Sequence, residues 1–452
     1  MQALRRNKRT GAASWHDFAA LGGSGSTRLA GKTRVDVAGW GITVRGWIGA
    51  ACAACVAACQ PAGVEPQSQA TEAPAAKGSQ FLFVWSADKD KVESDFMSVV
   101  DLRGGSATYG DVVATLPIGA TGTMPHHVEY EFPADGMLFA DGFTGNITSL
   151  IDLRDPLQPK LAAQFKDMGD YSFPHSYART DAGNVLVTLQ GMHGKYGAPG
   201  GLVELSPEGK VLRSASAKSA ATADELVWPY SLAVAPGKDR AVVTLAEMGW
   251  PGQPYKSTKQ VQIWSVSDLK VLATVELPES GQGEHHVDPA EPRVLADGTV
   301  FVGTFACGVY RIDDAFGAAP KAVFVHAFPG GTTDHNVCAV PVVVGKYYVQ
   351  TVAEINGLIA LDVSDPMKPV EASRLVLPDK FNMAHWVAAD RKSDRLVVTG
   401  NDQSWALVLK LDPATGAMTI DPSLPDGISF ERASWPHGDS GPARVHGALF
   451  GQ

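Results

Sequence analysis

Alternating hydrophobic and polar residues, broken by short turns, recur along most of the chain after residue 80. The clearest example is residues 347–362, where two such runs flank an Asn356-Gly357 turn. Asn-Gly between alternating runs is a strong hairpin signal, because both residues tolerate the positive φ that a tight turn needs. A Ser-Asp-Pro turn at 364–366 and a further run at 370–377 follow. The pattern predicts four antiparallel strands in about 50 residues.

This unit repeats, and each copy opens on the same short phrase. The phrase is His-x-Val in its fullest form, and Pro precedes it in several copies. A period of about 50 residues with four strands is typical of a β-propeller blade. Seven copies predict an all-β fold, a seven-bladed β-propeller. The residues that open the seven copies are His126, His175, Tyr230, His285, His335, His385 and His437.

Strands predicted outside the repeats can close the ring. Residues 80–85, 96–101 and 112–116 form three β-rich runs before the first copy, whereas only residues 438–452 follow His437. We expect the C-terminal piece to be the innermost strand of the seventh blade and the N-terminal strands to complete that blade. Such a shared closing blade removes the open sheet edge. The predicted propeller domain spans residues 80–452.

The N-terminal segment has the features of an export signal. Residues 46–58 form a short apolar run behind Arg45, too short to span a bilayer and typical of a signal-peptide core. The run ends in Val-Ala-Ala followed by Cys59, which resembles the lipobox of bacterial lipoproteins. We therefore predict a leader over residues 1–59 with lipidation at Cys59, and a disordered tether over residues 60–79, which are rich in Pro, Ala and Gln. The protein is expected to be periplasmic and lipid-anchored.

The net charge and the cysteine content limit which binding partners are expected. The 452-residue chain has a net charge of −10, which disfavours binding to nucleic acid or to an acidic membrane surface. Membrane contact is therefore expected only through the lipid anchor. Three of the five cysteines lie in the leader, so they do not suggest a disulfide framework. Of the other two, Cys307 is a possible soft metal ligand and Cys338 is expected to pack in the core.

The repeated histidines are the main candidates for chemistry. The innermost strand of each propeller blade lines the central channel, so six histidines at one blade position would surround one axis. Crowded imidazoles repel each other if protonated and lose hydrogen bonds if neutral and buried. A transition-metal ion removes both problems, because imidazole is a good ligand for copper, iron, zinc and nickel. The predicted ligands are His126, His175, His285, His335, His385 and His437.

Neighbouring residues have predicted supporting roles. Successive strand residues face opposite sides, so His127 and His286 are expected to point away from the axis or towards the mouth of the channel and to support the ligands, unless a bulge reverses the choice. Tyr230 could donate a hydrogen bond, act as a redox-active phenol or only fill space. A second set of residues ends each second strand: Asp141, Gln190, Glu247, Phe305, Glu354 and Asp402.

In that second set, Glu247 and Glu354 lie in apolar surroundings and are candidates for acid–base catalysis or metal binding. Asp141 and Asp402 are interpreted as turn residues. The remaining histidines of the repeat region fall outside the repeated position and are interpreted as structural or surface residues; they are His193, His326 and His446.

Several phrases of the chain are similar to those of a known family. They are Pro125-His126-His127, the Asp-Pro turns at 151–159 and 359–369, Gln-Ile-Trp-Ser at 262–265, and Trp-Pro-His-Gly-Asp at 435–439. On the basis of these phrases, residues 96–450 resemble the selenium-binding protein/methanethiol oxidase family. The resemblance implies a seven-bladed propeller. It also implies copper-dependent oxidation of methanethiol by oxygen and water to formaldehyde, hydrogen sulfide and hydrogen peroxide.

The expected function is therefore that of an exported, copper-dependent oxidase of a small thiol, with O2 as acceptor. The cysteine pair linked to selenium binding in animal members has no counterpart after Cys59, so selenium binding is not carried over. The main alternative is a lipid-anchored propeller that binds a metal or a partner without catalysis. A second alternative is an iron enzyme like the carotenoid oxygenases, but those use four histidines and helical insertions, whereas the loops here are short.

Overall fold

The computed structural model describes residues 78–166, 168–281, 286–330 and 337–452. These residues form seven antiparallel sheets and two short 3-10 helices, Asp224–Leu226 and Ala353–Ile355. The prediction of an all-β, seven-bladed propeller is confirmed. The predicted leader, Cys59 and nearly all of the predicted tether lie outside the described residues. Among the described residues, no helix has both the length and the apolar character that crossing a membrane requires.

Each blade is one sheet, and its strands are consecutive in the chain except in the closing blade. The chain starts with three strands that belong to that closing blade: β1 (Phe81–Asp88), β2 (Phe96–Asp101) and β3 (Val112–Pro117). Blade 1 contains β4 (Pro125–Val128), β5 (Met137–Gly142), β6 (Ile147–Asp152) and β7 (Lys160–Phe165). Blade 2 contains β8 (Tyr171–Arg179), β9 (Val185–Met192), β10 (Lys195–Leu205) and β11 (Val211–Ser216). Blade 3 contains β12 (Pro229–Val234), β13 (Ala241–Leu245), β14 (Gln260–Ser265) and β15 (Lys270–Glu276).

The remaining blades follow the same order. Blade 4 contains β16 (Pro289–Val294), β17 (Val300–Thr304), β18 (Gly308–Asp313) and β19 (Lys321–Ala327). Blade 5 contains β20 (Val342–Val344), β21 (Tyr347–Val352), β22 (Gly357–Asp362) and β23 (Val370–Val376). Blade 6 contains β24 (Ala384–Ala389), β25 (Arg395–Gly400), β26 (Trp405–Leu411) and β27 (Met418–Ile420), with the short β28 (Ile428–Ser429) paired to β26. Blade 7 contains the short β29 (Glu431–Arg432) and β30 (Gly441–Gly451), followed outward by β1, β2 and β3.

The shared closing blade is present as predicted. Strand β30 pairs antiparallel with β1, with Leu82 opposite Phe450 and Val84 opposite Ala448. The first described residues are also fixed to blade 6: the backbone N–H and hydroxyl of Ser79 donate to Asp390 at 3.0 and 2.7 Å. Both ends of the domain are therefore held by strand pairing and by buried polar contacts, which leaves neither end of the ring unpaired.

A bulge near the start of the innermost strand decides which residues face the channel. In β4, β8, β12, β16 and β24 the ladder register shifts at the same place, for example between Pro125 and Val128 and between Pro174 and Tyr177. A non-glycine residue with positive φ often lies just before it, as at Met124 (58°), Phe173 (63°), Asp288 (61°) and Met383 (57°). A bulge breaks the strict alternation of strand side chains, so two consecutive residues can face the axis.

The same geometry corrects the predicted register in blades 4 and 5. The channel residues of blades 1, 3 and 6 are His126, Tyr230 and His385. In each of these blades, a backbone N–H directly after the second strand donates to the carbonyl of the residue two positions before the channel residue. In blades 4 and 5 the equivalent carbonyls belong to Asp288 and Val337, so the channel position is held by Ala290 and Ala339. His285 and His335 precede these positions by several residues, and both lie outside the described residues.

Candidate metal centre

Five buried imidazoles meet in the channel. Adjacent ring centroids lie 4.0–4.9 Å apart for His126–His446, His127–His175, His126–His127, His385–His446 and His126–His175. Four of these residues are 0% exposed and His446 is 4% exposed. They come from blades 6, 7, 1 and 2, which are neighbours around the ring. We call this group the imidazole cluster; its members are His126, His127, His175, His385 and His446.

Two triads in the cluster have the spacing of a metal site. The ligand atoms of His126, His127 and His175 lie within 4.8 Å of one another, as do those of His126, His385 and His446. An ion bonded at about 2 Å holds its ligand nitrogens about 3–4 Å apart. A small inward movement of the rings would therefore bring either triad to bonding distance.

Hydrogen bonds to backbone carbonyls fix the proton position in two of the rings. Nδ1 of His175 lies 2.8 Å from the carbonyl oxygen of Tyr230, and Nδ1 of His446 lies 2.6 Å from that of His126. A carbonyl oxygen can only accept, so each Nδ1 must carry the proton and each Nε2 keeps its lone pair. Both Nε2 atoms are buried and have no hydrogen-bond partner among the described residues. This is the usual arrangement of a histidine that binds metal through Nε2.

Burial keeps the cluster neutral. It lowers the pKa of His175 to about 3 and that of His385 to about 4. Burial, followed by repulsion from the neighbouring imidazoles, lowers the pKa of His126 and His127 well below the ordinary value. A neutral imidazole has no net charge and keeps a lone pair on one ring nitrogen, so the cluster can bind a cation without repelling it.

A buried carboxylate orients the His126-His127 pair. Oδ1 of Asp141 accepts the backbone N–H groups of His127 at 2.7 Å and of His126 at 3.2 Å. In blades 2 and 3 a threonine hydroxyl at the same place, Thr188 or Thr244, accepts one backbone N–H at 3.1 Å. Asp141 was expected to be a turn residue, and this is wrong because its side chain is fully buried behind the bulge. The sequence signal that could have found it is a carboxylate at a position that other blades fill with threonine.

Near the C-terminus, the structure reverses the predicted positions of His437 and His446. His437 lies beside the outer strand β3, where its Nδ1 is 2.6 Å from Thr115 Oγ1 and its ring packs on Phe96. His446 lies on β30, the innermost strand of blade 7, and belongs to the imidazole cluster. The prediction for His437 is therefore wrong, because the innermost strand begins after the Trp-Pro-His phrase rather than at it.

The doubled histidines also differ from the prediction. His127 was expected to point away from the axis, but the bulge in β4 turns both His126 and His127 into the channel, with their rings stacked at 4.5 Å and 10°. His286 was expected to support the ligands. Instead its ring lies 5.1 Å from that of Phe324 on the outer strand β19, and its backbone carbonyl accepts the Tyr310 hydroxyl at 3.1 Å. It therefore lies between outer strands of blade 4.

The three side chains predicted to be catalytic, Tyr230, Glu247 and Glu354, lie in three different parts of the structure. Tyr230 lies in the channel with its ring 3.8 Å from that of His175, and burial raises its pKa well above the ordinary value, so the phenol stays protonated. Glu247 is buried, and its Oε2 accepts the Lys256 backbone N–H at 2.7 Å, which holds the loop after β13. Glu354 is exposed on the 3-10 helix Ala353–Ile355. The prediction for Glu354 is wrong, because a chain turn carries its side chain out of the apolar strand.

The two body cysteines form a disulfide. Cys307, in the turn between β17 and β18, is bonded to Cys338, which precedes β20, with Cα atoms 4.9 Å apart. The bond joins blades 4 and 5. The interpretation of Cys307 as a soft ligand is wrong, because a sulfur in a disulfide has no thiolate to offer to a metal. Cys338 packs in the core as expected, and the disulfide is an additional role that the sequence did not indicate.

The channel positions of blades 3 to 5 carry one aromatic and two small apolar side chains. The channel positions there are Tyr230, Ala290 and Ala339, all buried. Aromatic and thioether side chains surround the start of the innermost strands, with the ring of Phe143 5.9 Å from that of His175. We call this group the apolar cap; its members are Met124, Phe143, Phe173, Tyr196, Trp250 and Phe305.

The fold and the site together define a class: a seven-bladed β-propeller whose channel contains a buried imidazole cluster able to hold a metal ion. The chain is 29% identical over 139 residues to the methanethiol oxidase of Ruegeria pomeroyi; the alignment covers 29% of this chain and 31% of that protein. The chain therefore spans less than a third of the length of this curated relative. No family model matches the chain.

Solved structures agree on the fold. A hypothetical selenium-binding protein from Sulfolobus tokodaii superposes with a TM-score of 0.64 at 16% identity, over 84% of this chain and 94% of that chain. The periplasmic gluconolactonase PpgL of Pseudomonas aeruginosa superposes with a TM-score of 0.59 at 12% identity, over 81% of this chain and 98% of that chain. The sequence match to a methanethiol oxidase supports the resemblance found in the sequence, and the structural matches support the propeller fold.

Proposed function

We propose that the protein is a copper-dependent oxidase of small thiols, with methanethiol as the model substrate and O2 as the electron acceptor. The imidazole cluster carries this proposal, because it brings together buried nitrogen ligands, and the Nε2 atoms of four of its members have no hydrogen-bond partner within the described part of the chain; these members are His126, His127, His175 and His446. Residues of this kind fit copper, which prefers imidazole over carboxylate. The partial similarity to a methanethiol oxidase gives the reaction class.

The ion is assigned to His126, His385 and His446. The rings of His126 and His127 are nearly parallel and stacked, so their in-plane lone pairs run side by side and do not converge on one ion. His126, His385 and His446 come from three blades and have rings inclined to one another by 33–58°. Bound copper would supply an electron path from the thiol to oxygen and would favour the thiolate form of the substrate.

The chain's own residues then have distinct tasks. His446 and His175 are held in one tautomer by backbone carbonyls. His127 differs, because its Nδ1 lies 3.0 Å from the hydroxyl of Ser176, a group that can accept or donate a proton. We assign His127 Nε2 as the acceptor of the thiol proton. The apolar cap and the small side chains of Ala290 and Ala339 restrict the substrate to a small apolar group and keep water away from the reacting sulfur.

The overall reaction assigned to the site is balanced: methanethiol, O2 and water give formaldehyde, hydrogen sulfide and hydrogen peroxide. Purified protein loaded with copper should form the three products in equal amounts, and the metal-stripped protein should form none until copper is restored. His385→Ala should lose turnover and keep the folded β-sheet spectrum. A protein that binds copper tightly but forms no hydrogen sulfide or peroxide would contradict the oxidase function and favour a metal-binding role.

Export and lipid anchoring are part of the proposal. They rest on the apolar run at 46–58, on the Val-Ala-Ala-Cys59 phrase and on the Cys307–Cys338 disulfide, since disulfides persist in oxidising compartments. Cell fractionation of a tagged chain, with Cys59→Ser as the matched variant, tests this. The native chain should fractionate with the membrane after signal processing, whereas the variant should be released. A native chain in the cytosol would contradict it.

A further inference from the structure

A polar network lies on the other side of the imidazole cluster from the apolar cap. Met124 and Phe173 of the cap precede the channel residues His126 and His175 in the chain, whereas Tyr130, Ser231 and Glu291 of the network follow His126, Tyr230 and Ala290. The hydroxyl of Tyr130 lies 2.8 Å from Glu291 Oε2 and 2.9 Å from Ser231 Oγ, and Ser231 Oγ also donates to Glu291 Oε2 at 2.8 Å. Arg293 Nη1 donates to the same carboxylate oxygen at 2.9 Å. Three blades, 1, 3 and 4, contribute to this network.

The network is continuous with the imidazole cluster. Ser176 Oγ lies 3.0 Å from Nδ1 of His127 and 3.3 Å from the Tyr130 hydroxyl. Each acceptor in the series is also the next donor: the His127 Nδ1–H can donate to Ser176, Ser176 to Tyr130, and Tyr130 to Glu291. Such an uninterrupted series of donors and acceptors is what proton transfer over several ångströms requires, because each O–H bond can break as the next one forms.

The aromatic ring of Tyr130 is held in a fixed position. It stacks on Trp386 at 5.3 Å and 8°, and the guanidinium of Arg293 lies 4.3 Å above its other face. Burial, and then the charge of Glu291, raise the pKa of Tyr130 above its ordinary value, so the phenol remains a donor at neutral pH. The stack fixes the hydroxyl where it can contact Ser176, Ser231 and Glu291 at the same time.

Glu291 has the features of a group that holds a proton. It is 1% exposed, and its Oε1 has no hydrogen-bond partner among the described residues. The charged or titratable groups that face it are Tyr130, Tyr230, Tyr348 and Arg293. Burial raises its pKa, and Arg293 together with the two hydroxyls opposes that rise. The pKa of the carboxyl group therefore stays above its ordinary value. Tyr130 and Arg293 are the partly exposed members of the network.

We propose that Ser176, Tyr130 and Glu291 form a proton path that takes the thiol proton from His127 and holds it on the Glu291 carboxylate. This inference rests on the proposed function, because the proton comes from the thiol bound at the imidazole cluster. In the transfer the S–H bond breaks and Glu291 becomes a carboxylic acid. His127, Ser176 and Tyr130 each receive one proton and pass one on, and no electron moves along this path.

The test follows the Glu291 carboxyl group itself rather than turnover. Infrared difference spectra are recorded when methanethiol is added without oxygen to the copper-loaded protein. The native chain should gain the C=O band of a protonated carboxyl. Glu291→Gln should lack the band, and Tyr130→Phe should not develop it, because that variant keeps the ring stack but lacks the bridging hydroxyl. Tyr177→Phe is the matched control, since it removes a buried hydroxyl whose one hydrogen bond within the described ranges is to Thr148, at 2.8 Å, and it should keep the band.

Turnover provides the second readout. With oxygen present, kcat of Tyr130→Phe should fall about 100-fold, the range for loss of a positioned proton-transfer group, with KM and copper content unchanged. A carboxyl band that persists in Tyr130→Phe, or that never forms in the native chain, would overturn the proton path. If the band forms as described but no hydrogen sulfide is produced with oxygen, the path stands and the oxidase function fails.

Discussion

At the scale of single residues, hydrogen bonds to the backbone determine what each histidine can do. His175 and His446 are locked by carbonyls into the tautomer that exposes Nε2, whereas His127 faces a hydroxyl and can exchange a proton. Sequence reasoning identified His126, His175 and His385 correctly as channel residues, since the repeated phrase, in its full or looser form, coincides with the innermost strand there. It could not identify tautomers, because these depend on carbonyls from the neighbouring blade.

Asp141 offers a test at this scale. Asp141→Ala would leave the backbone N–H groups of His126 and His127 without an acceptor and release the bulge that aims both rings. We expect copper affinity to fall about 10–100-fold, the usual cost of removing a group that orients metal ligands. Asp141→Thr, which installs the residue found in blades 2 and 3, should retain more of the affinity. The measurement is competitive copper titration, and equal affinity in Asp141→Ala and the native chain would show that Asp141 does not orient the ligands.

At the scale of strands, the bulge at the start of the innermost strand explains which predictions failed. It places two consecutive residues of a blade in the channel, such as His126 with His127, so strict alternation gave the wrong side for His127. In blades 4 and 5 the His-x-Val phrase lies before the strand, and Pro289 marks its true start in blade 4. Glu291 and Tyr130 were missed for the same reason: their place in the channel depends on the bulge and not on a period of two.

The contact between Ser79 and blade 6 can be tested by stability. Burial alone would raise the pKa of Asp390, but hydrogen bonds from Ser393, Arg395 and Ser79 lower it below its ordinary value. The carboxylate therefore stabilises the fold above about pH 4, the unfolded value, and this stability is lost as the pH falls towards the folded pKa. Asp390→Ala leaves Arg395 buried without its partner and should cost about 3–5 kcal/mol.

Urea unfolding at pH 7 and at successively lower pH, with the native chain and Asp390→Ala compared, is the measurement. The difference between the two proteins should be largest at neutral pH and shrink on acidification. Asp412→Ala is a suitable control, because that carboxylate is exposed and accepts hydrogen bonds from Ala414 and Thr415 of its own turn. A difference that grows as the pH falls would contradict the role assigned to Asp390.

At the scale of the whole molecule, the ring is closed by sequence-distant pairings and strengthened by one covalent link. The number of blades and the shared closing blade could be predicted from the repeat, because each blade is encoded locally. The disulfide could not, since Cys307 and Cys338 are 31 residues apart and come together only when blades 4 and 5 pack. The imidazole cluster is likewise asymmetric: blades 6, 7, 1 and 2 supply its imidazoles, and the channel positions of blades 3 to 5 are Tyr230 and two alanines.

The disulfide should stabilise the ring measurably. Chain-entropy arguments for a closed loop of this length give about 3–4 kcal/mol. The Tm of the exported protein should therefore fall on treatment with a thiol reductant, and that of a Cys307→Ser, Cys338→Ser double variant should be lower and insensitive to the reductant. Thiol titration of the denatured, unreduced protein provides the check: reactive thiols from both positions would contradict the assignment.

The central claim is that the imidazole cluster holds a transition-metal ion, and metal analysis by mass spectrometry tests it most directly. Protein purified from the exported fraction should contain copper in stoichiometric amount. His126→Ala, which removes the residue shared by both triads, should lose it, whereas His437→Ala, which lies beside the outer strand β3, should retain it. Copper absent from the native protein, or retained in His126→Ala and lost in His437→Ala, would contradict the claim.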